Sequence, residues 1–303
     1  MTDRRLRPFR LDLRTPFRGL SQRRGCLISG EHGWGEFAPF DDYDTVADAR
    51  WLSSALEQAD GRWPDPVRAD VQVNAIIPAV DPGAAAEMAL AAGCATVKIK
   101  VGDAAGRERV AAVREALPEA ALRVDVNGSW TLTEAQRELD ALADLDLEYA
   151  EQPVRAFDDM VALRARTSVP LAADELIRID RRFDDVARAA DVAVLKVAPL
   201  GGVKATLEVA AQVGLPVVIS SALDSSLGLA AGLTAACCLP QAPLACGLGT
   251  AALFAQDTTT AMSPLSGRMS WAGYPAPDPD LPVANEDLDY WRRRIARAAH
   301  TVV

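Results

Sequence analysis

The fold is decided by LRVDVN (residues 122–127), LEYAEQP (147–153) and PLAADE (170–175). Each of these short apolar runs has an acidic residue near its end, namely Asp125, Glu151 and Asp174, at intervals of 26 and 23 residues. Two further runs, VKIKVG (97–102) and VAVLKVAP (192–199), carry lysines in the same place. A repeat of about 25 residues with charged strand ends is typical of a β/α barrel, where several strands contribute to one active site.

The strand pattern extends over the centre of the chain. From Val71 onward it predicts eight strands with Ala-rich helical segments such as AAAEMALAAG (84–93) between them. The strands are VQVNAII (71–77), ATVKIKV (95–101), ALRVDVN (121–127), LEYAEQP (147–153), PLAADEL (170–176), VAVLKVA (192–198), PVVISSA (216–222) and LACGLG (244–249). An open doubly wound sheet is the alternative, but no GxGxxG follows the first strand. We therefore predict an α/β fold, a (β/α) barrel over residues 71–255.

A second, smaller domain is expected at the two ends of the chain. Residues 5–40 read as antiparallel strands, and a helix is predicted over 44–59 with Asp44 or Thr45 as its cap. The Pro- and Gly-rich stretch 61–70 is interpreted as the passage between domains. Residues 256–284 read as a surface segment, and 285–299 as an amphipathic helix. The prediction is an α+β domain over 1–70, completed by 256–303.

Composition excludes several classes of function. The 303 residues carry a net charge of −10 with a pI near 4.8, which argues against a nucleic-acid partner. The N-terminus has no signal-peptide pattern, and the longest apolar run (227–240) is too short to span a membrane. Five cysteines without CxxC spacing predict free thiols and a cytoplasmic protein. The arginines clustered near both ends, Arg294 among them, are interpreted as solvated faces.

The charged strand ends suggest a specific chemistry. Three carboxylates on neighbouring strands predict a divalent cation with hard oxygen ligands, such as Mg²⁺, because unpaired they would repel each other. Salt bridges with the lysines are the alternative. Lys98 and Lys100 are two residues apart on one strand and so point to one face. With Lys98 as a neighbouring cation, Lys100 is expected to lose its proton more easily and to act as a base. Lys196 would lie on the opposite side of the barrel mouth.

These motifs resemble those of the enolase superfamily, in its muconate-lactonising-enzyme subgroup. The resemblance covers nearly the whole chain and rests on KIK (98–100), DVN (125–127), EQP (151–153), DE (174–175), Lys196 and WGEFAP (34–39). ISSALDSSLGLAAG (219–232) and GLGT (247–250) are most similar to the o-succinylbenzoate synthase family of menaquinone biosynthesis, in its short actinobacterial form. The resemblance implies an enolase-type (modified TIM) barrel with an α+β capping domain.

The resemblance also implies roles for individual residues. Asp125, Glu151 and Asp174 would bind Mg²⁺, and Lys100 would remove the α-proton and then protonate the departing hydroxyl. Lys98 would tune Lys100, and Lys196 would stabilise the enediolate. The remaining candidates are Asn127 and Glu175 beside the metal ligands, Ser220 and Gly247 as substrate contacts, and Arg18, on a loop from Thr15 to Arg24, as a residue closing over the site.

The implied reaction is the Mg²⁺-dependent syn-dehydration of 2-succinyl-6-hydroxy-2,4-cyclohexadiene-1-carboxylate to 2-succinylbenzoate. The partner is then a small carboxylate, with neither nucleic acid nor membrane. Dipeptide epimerase or N-acylamino acid racemase is the nearest alternative, since Lys100 and Lys196 could serve as two bases; GLGT, however, lacks the Asp-x-Asp usual in dipeptide epimerases. A non-catalytic barrel is a third reading, disfavoured because every charged position is present. The sequence does not distinguish a monomer from a homo-oligomer.

Overall fold

A three-stranded antiparallel sheet begins the molecule. The computed structural model describes residues 4–301, so residues 1–3 and 302–303 of the predicted smaller domain lie outside the described residues. The strands are β1 (Leu6–Phe17), β2 (Leu20–Ser29) and β3 (Trp34–Phe37), in that order in the sheet. The Thr15–Arg24 segment, expected to be a loop, is instead part of the β1–β2 hairpin, with an irregular register between Asp12 and Phe17 and a tight turn at Arg18 and Gly19. Both turn residues have positive φ, 53° and 74°, as a two-residue turn of this kind requires.

Helix α1 (Thr45–Ala59) packs on this sheet. The predicted cap is confirmed, since the Asp44 side chain accepts a hydrogen bond of 2.7 Å from the backbone N–H of Ala47. Gly35 permits the close approach of β3 to the helix, because a Cβ there would lie 1.9 Å from the carbonyl oxygen of Ala55. Strand and helix are thus in backbone contact.

The centre of the chain forms a curled parallel sheet of seven strands. Their order along the sheet follows the chain, from β5 at one edge to β11 at the other. The strands are β5 (Ala75–Ile77), β6 (Thr96–Lys100), β7 (Ala121–Asp125), β8 (Leu147–Glu151), β9 (Leu171–Ala173), β10 (Val192–Lys196) and β11 (Val217–Ser220). The predicted α/β barrel is confirmed.

The first and last predicted barrel strands differ from expectation. VQVNAII is divided into β4 (Asp70–Gln72) and β5, and β4 pairs antiparallel with β12 (Arg268–Ser270) from the segment predicted to be irregular. LACGLG does not form a regular strand. Its Cys246 and Gly247 make isolated parallel bridges to Val73 and Ser220, and these bridges join the two edges of the curled sheet.

Helices follow the barrel strands along the chain. They are α2 (Pro82–Ala92), α3 (Gly106–Ala116), α4 (Leu132–Leu142), α5 (Phe157–Arg164), α6 (Glu175–Arg178), α7 (Val197–Leu200), α8 (Val203–Val213) and α9 (Ser226–Cys238). After β9 the expected helix is reduced to the four residues of α6 and a 3₁₀ turn at Val186–Arg188. Helix α9 is buried over nearly its whole length, as its apolar sequence predicts. No described helix has the length and apolarity needed to cross a bilayer.

The two ends of the chain meet in the smaller layer. Helix α10 (Leu288–Ala299) confirms the predicted C-terminal helix and packs on α1 and β1. One expectation is wrong here: Arg294 is buried, and its guanidinium donates two hydrogen bonds of 2.7 Å to Asp48 on α1. Trp51 and Trp291 are fully buried in the core between these elements. All five cysteines are buried and unpaired, as predicted.

Candidate active site

Five neighbouring barrel strands bring the predicted charged residues to one end of the barrel. In the sheet register Lys100 pairs with Asp125 and Asp125 with Glu151, so these three side chains are neighbours across strands. Asp174 follows the end of β9, and Lys196 closes β10. Except for Lys100, which is partly accessible, these residues and Lys98 are buried. The spacing seen in the sequence therefore does produce one site.

Every acidic residue of the site is ion-paired. Lys98 Nζ lies 2.9 Å from Glu151 Oε2 and 3.2 Å from Asp125 Oδ2, while Lys100 Nζ lies 2.7 Å from the same Asp125 oxygen. Lys196 Nζ lies 2.6 Å from Asp174 Oδ2. Among residues 4–301, no three His, Cys, Asp or Glu side chains form a ready-made metal cluster. The salt bridges with the lysines, given above as the alternative to a cation, are therefore present at all three carboxylates.

Two buried carboxylate oxygens of the site, Glu151 Oε1 and Glu175 Oε2, nevertheless lack a hydrogen-bond partner. Burial, followed by repulsion from Asp125, raises the pKa of Glu151. A buried acceptor in this state is costly unless something binds it. Because the neighbouring donors are carboxylate oxygens with no thiol or imidazole among them, the set fits a hard cation of the Mg²⁺ type.

The two lysines of β6 differ in their proton affinity. Burial lowers the pKa of Lys100, and the positive charge of Lys98 lowers it further, against the opposing attraction of Asp125. Burial would also lower the pKa of Lys98, but Glu151 and Asp125 together raise it well above its usual range. Lys98 therefore stays an ammonium group while Lys100 is the one that releases its proton more readily.

Asn127 and Glu175 connect the two sides of the site. Lys100 Nζ donates to Asn127 Oδ1, and the Asn127 amide lies 3.4 Å from Glu175 Oε1. Asn127 has a positive φ of 52°, a conformation that asparagine tolerates better than most residues. Both residues therefore lie beside the carboxylates, as the sequence reading expected.

Arg178 is a functional neighbour that the sequence reading missed. Its guanidinium donates to Asp174 Oδ1 at 3.0 Å, to Glu175 Oε1 at 2.6 Å and to the hydroxyl of Tyr43 in the smaller layer at 2.9 Å. Despite the effect of burial, Lys196 and Arg178 hold the pKa of Asp174 well below its usual range. The available signal was the i, i+4 spacing of Asp174 and Arg178 on one helical turn.

A small cavity of about 30 Å³ is lined by charged residues of the site. Its wall includes Phe17 and Arg18 from the hairpin and Ser220, Ser221 and Thr250 from the barrel. Lys100 Nζ lies 5.4 Å from the centre of the Phe17 ring. A volume of this size corresponds to about one water molecule.

The predicted substrate contacts divide into two groups. Ser220 lines the small cavity, and Arg18 lines both this cavity and a neighbouring one of about 500 Å³. Gly247 lies behind Ser220 instead of in the cavity wall, and a Cβ at this position would lie 2.5 Å from Ser220 Oγ. The absence of a side chain at position 247 therefore leaves room for the side chain of Ser220.

Comparison with known proteins identifies the family. The chain matches the family Enolase C-terminal domain-like over residues 82–272 and the family Enolase N-terminal domain-like over residues 9–59. It is 44% identical over 304 residues to the o-succinylbenzoate synthase of Thermobifida fusca (strain YX), covering 96% of this chain and 95% of that protein. The chain belongs to the o-succinylbenzoate synthase family. The o-succinylbenzoate synthase of Mycobacterium tuberculosis (strain CDC 1551 / Oshkosh) is 47% identical over 281 residues, 89% of this chain and 84% of that protein.

Solved structures confirm the enolase-superfamily fold. The N-succinyl Arg/Lys racemase from Bacillus cereus superimposes with a TM-score of 0.78 at 22% identity, over 95% of this chain and 96% of that one. The L-Ala-D/L-Glu epimerase from Bacillus subtilis gives a TM-score of 0.78 at 21% identity, over 90% of this chain and 96% of that one. At such identities the likeness concerns the fold alone. The synthase family is assigned by the sequence relatives.

Proposed function

We propose that this chain acts as a Mg²⁺-dependent o-succinylbenzoate synthase of menaquinone biosynthesis. The substrate is 2-succinyl-6-hydroxy-2,4-cyclohexadiene-1-carboxylate and the product 2-succinylbenzoate. The observation that carries the proposal is the sharing of Asp125 by two lysines of one strand, of which Lys100 has the lowered pKa. A lysine prepared in this way is suited to remove a proton from carbon.

Asp125, Glu151 and Asp174 are the residues that would hold the cation. The orphaned Oε1 of Glu151 supports this assignment, because a cation would satisfy it. Bound Mg²⁺ would supply a Lewis acid that stabilises negative charge on the substrate carboxylate. Asn127 and Glu175 would orient these ligands through their hydrogen bonds.

Lys100 would carry out both proton transfers. Neutral Lys100 Nζ takes the proton from C1 as that C–H bond breaks and the enediolate forms. The resulting ammonium group then gives the proton to the hydroxyl on C6, the C6–O bond breaks, and water leaves. One residue suffices because hydrogen and hydroxyl depart from the same face of the ring.

Lys196 would act as a fixed cation opposite Lys100. Its ammonium group is buried and 2.6 Å from Asp174. A buried positive charge facing the ring stabilises the enediolate more than it stabilises the neutral ring of the substrate. We further propose a cytoplasmic location, since five buried free thiols suit a reducing compartment.

The direct test is an assay of the purified protein with the cyclohexadiene substrate, following formation of the aromatic product by ultraviolet absorbance. We expect turnover with Mg²⁺, loss of turnover after prolonged EDTA treatment, and recovery when Mg²⁺ is added back. A folded Lys100→Ala variant should be inactive. Full activity after EDTA would contradict the metal assignment, and an active Lys100→Ala variant would contradict the role of Lys100.

N-acylamino acid racemisation is the second candidate. The observation in its favour is the presence of Lys196 opposite Lys100, since racemisation needs a base on each face of the α-carbon. A panel of N-succinylamino acids and dipeptides, followed by polarimetry under the same conditions, distinguishes the two. If racemisation is faster than dehydration, racemase becomes the main function and the synthase activity becomes the second candidate.

A further inference from the structure

Two charged residues of the N-terminal sheet are buried against the barrel, although neither was assigned a role above. Arg23 on β2 and Glu36 on β3 are 3% and 4% exposed. Both contact residues 223–228, which comprise the end of the β11–α9 link and the first turn of α9. Buried charges of this kind are retained only where they make compensating contacts, so the contacts they make are informative.

Glu36 caps a helix that belongs to the other layer of the molecule. Its Oε1 accepts a hydrogen bond of 3.2 Å from the backbone N–H of Ser225, and its Oε2 accepts one of 3.1 Å from the N–H of Gly228. Oε2 also accepts from the Ser225 hydroxyl. Ser225 itself provides no side-chain cap for α9. The carboxylate thus takes the place of a cap and meets the positive end of the helix dipole.

Gly228 provides an independent sign that this contact is built into the sequence. A Cβ at position 228 would lie 2.8 Å from the carboxyl carbon of Glu36. Gly228 lies within α9 and its φ is not positive, so the helix backbone does not require glycine there. Glycine is required at this position because the carboxyl group of Glu36 occupies the space that a Cβ would need.

Arg23 contacts the same segment at Leu223, two residues before Ser225. Its Nε donates a hydrogen bond of 3.0 Å to the carbonyl oxygen of Leu223, and its guanidinium also donates to the carbonyl of Ala38. The group lies over the ring of Phe40 at 4.4 Å. The guanidinium is therefore fixed by hydrogen bonds and by packing, and it fixes the Leu223 carbonyl in turn.

Leu223 is the residue through which these contacts reach the active site. It has a φ of 62°, a left-handed conformation that leucine rarely adopts. It is 2% exposed and lines the small cavity beside Ser220 and Ser221. A strained backbone at a site persists only when its surroundings hold it in place. Arg23 holds the carbonyl of Leu223 itself, and Glu36 holds the residues that follow it.

We propose that Arg23 and Glu36 are positioning residues that hold Leu223, and with it Ser220 and Ser221, in the wall that meets the substrate. We call the contacts of Arg23 and Glu36 with residues 223–228 the clamp. The inference rests on the proposed function for its kinetic consequence, but the clamp itself is a property of the fold. Loss of the clamp should misplace the substrate-binding wall while leaving Lys100 and its carboxylates in position. The expected effect is therefore on KM more than on kcat.

The test uses Arg23→Met and Gly228→Ala, with Arg68→Met as the matched control. Gly228→Ala removes no buried charge and favours the helix intrinsically, so it guards against a simple failure to fold. Arg68 donates to the carbonyls of Ala236 and Cys237 at the other end of α9, away from the cavity. Measurements are kcat, KM, Tm and amide hydrogen exchange of residues 221–228.

We expect Arg23→Met and Gly228→Ala to raise KM about tenfold with kcat within about twofold, equivalent to about 1.4 kcal/mol. Exchange in 221–228 should quicken in both, and neither change should occur in Arg68→Met. Unchanged KM and exchange in the two variants, or equal changes in the control, would overturn the proposal. An inactive wild-type protein would instead contradict the proposed function, and the exchange measurement would still decide on the clamp.

Discussion

The two sides of the barrel mouth carry the same kinds of residue in different balance. On the β6–β7 side, Lys98 and Lys100 share a single Asp125 oxygen. On the β9–β10 side, Lys196 has Asp174 as its partner, and Arg178 binds the other oxygen of that carboxylate. Burial, together with the positive charge of Lys98, lowers the pKa of Lys100. In the proposed mechanism Lys100 is then the base and Lys196, paired with Asp174, is the fixed cation.

Arginine substitution at each lysine gives the largest expected contrast. Arginine keeps the positive charge but does not act as a base at neutral pH. Lys100→Arg should lose roughly 10⁴-fold in kcat, at the upper end for a general acid–base residue. Lys196→Arg, which keeps the cation, should lose on the order of tenfold. Steady-state kinetics check this, with circular dichroism as a control of folding. Equal losses in the two variants would mean that the two sides are functionally alike.

Removal of the cation site should have the next largest effect. Asp174→Asn keeps the shape of the side chain but removes its negative charge, so Mg²⁺ binding should weaken by at least tenfold. Isothermal titration calorimetry with Mg²⁺ alone measures this without reference to activity. Asp60→Asn, in a salt bridge with Arg4 far from the barrel mouth, is the control. Unchanged Mg²⁺ affinity in Asp174→Asn would exclude this carboxylate as a ligand.

The pH profile tests the origin of the difference between the lysines. Since Lys100 must be neutral to accept a proton, kcat/KM should rise with pH until the pKa of Lys100 is passed. Burial and Lys98 place this pKa below the ordinary 10.5. Removing the neighbouring charge in Lys98→Met makes deprotonation harder, so the rising limb should move to higher pH. Lys98→Arg keeps the charge and should leave the limb in place. A limb that does not move in Lys98→Met would assign the lowered pKa to burial alone.

Racemisation as a side activity gives the smallest expected contrast between Lys100 and Lys196. If Lys196 serves only as a cation, racemisation of N-succinylamino acids should be slower than dehydration, because its second proton transfer lacks a ready base. Solvent-deuterium incorporation measured from each enantiomer separates the two faces. Equal incorporation rates from both enantiomers would show that Lys196 also exchanges protons.

Much of the site was predictable because its information is local. The charged strand-end residues recur at a regular interval in the sequence; they are Lys98, Lys100, Asp125, Glu151 and Lys196. Parallel strands of a barrel bring their carboxyl ends together whatever the details of packing. The ion pairing was harder to foresee, since the sequence places the charges at one rim without fixing which nitrogen meets which oxygen. Arg178 was missed because an arginine on a short helix resembles a surface residue.

The parts of the fold that were mispredicted depend on distant pairing. β4 and β12 are three residues each and lie about 200 positions apart, so neither has a local periodic signal. The eighth barrel segment closes the sheet with isolated bridges, which no alternation pattern describes. The contact of Arg23 with the carbonyl of Leu223 likewise joins residues that are far apart in sequence and close in space.

The ion pair between Arg294 and Asp48 joins positions that are 246 residues apart. On a ribosome that adds about 5–20 residues per second, the N-terminal sheet and α1 therefore wait roughly 12–50 seconds for the helix that covers them. During that interval the indole of Trp51 has no Trp291 layer above it, so the nascent chain presents an aromatic surface on which chaperones can act. The barrel can assemble first, and the layer above it is completed only after α10 has been synthesised.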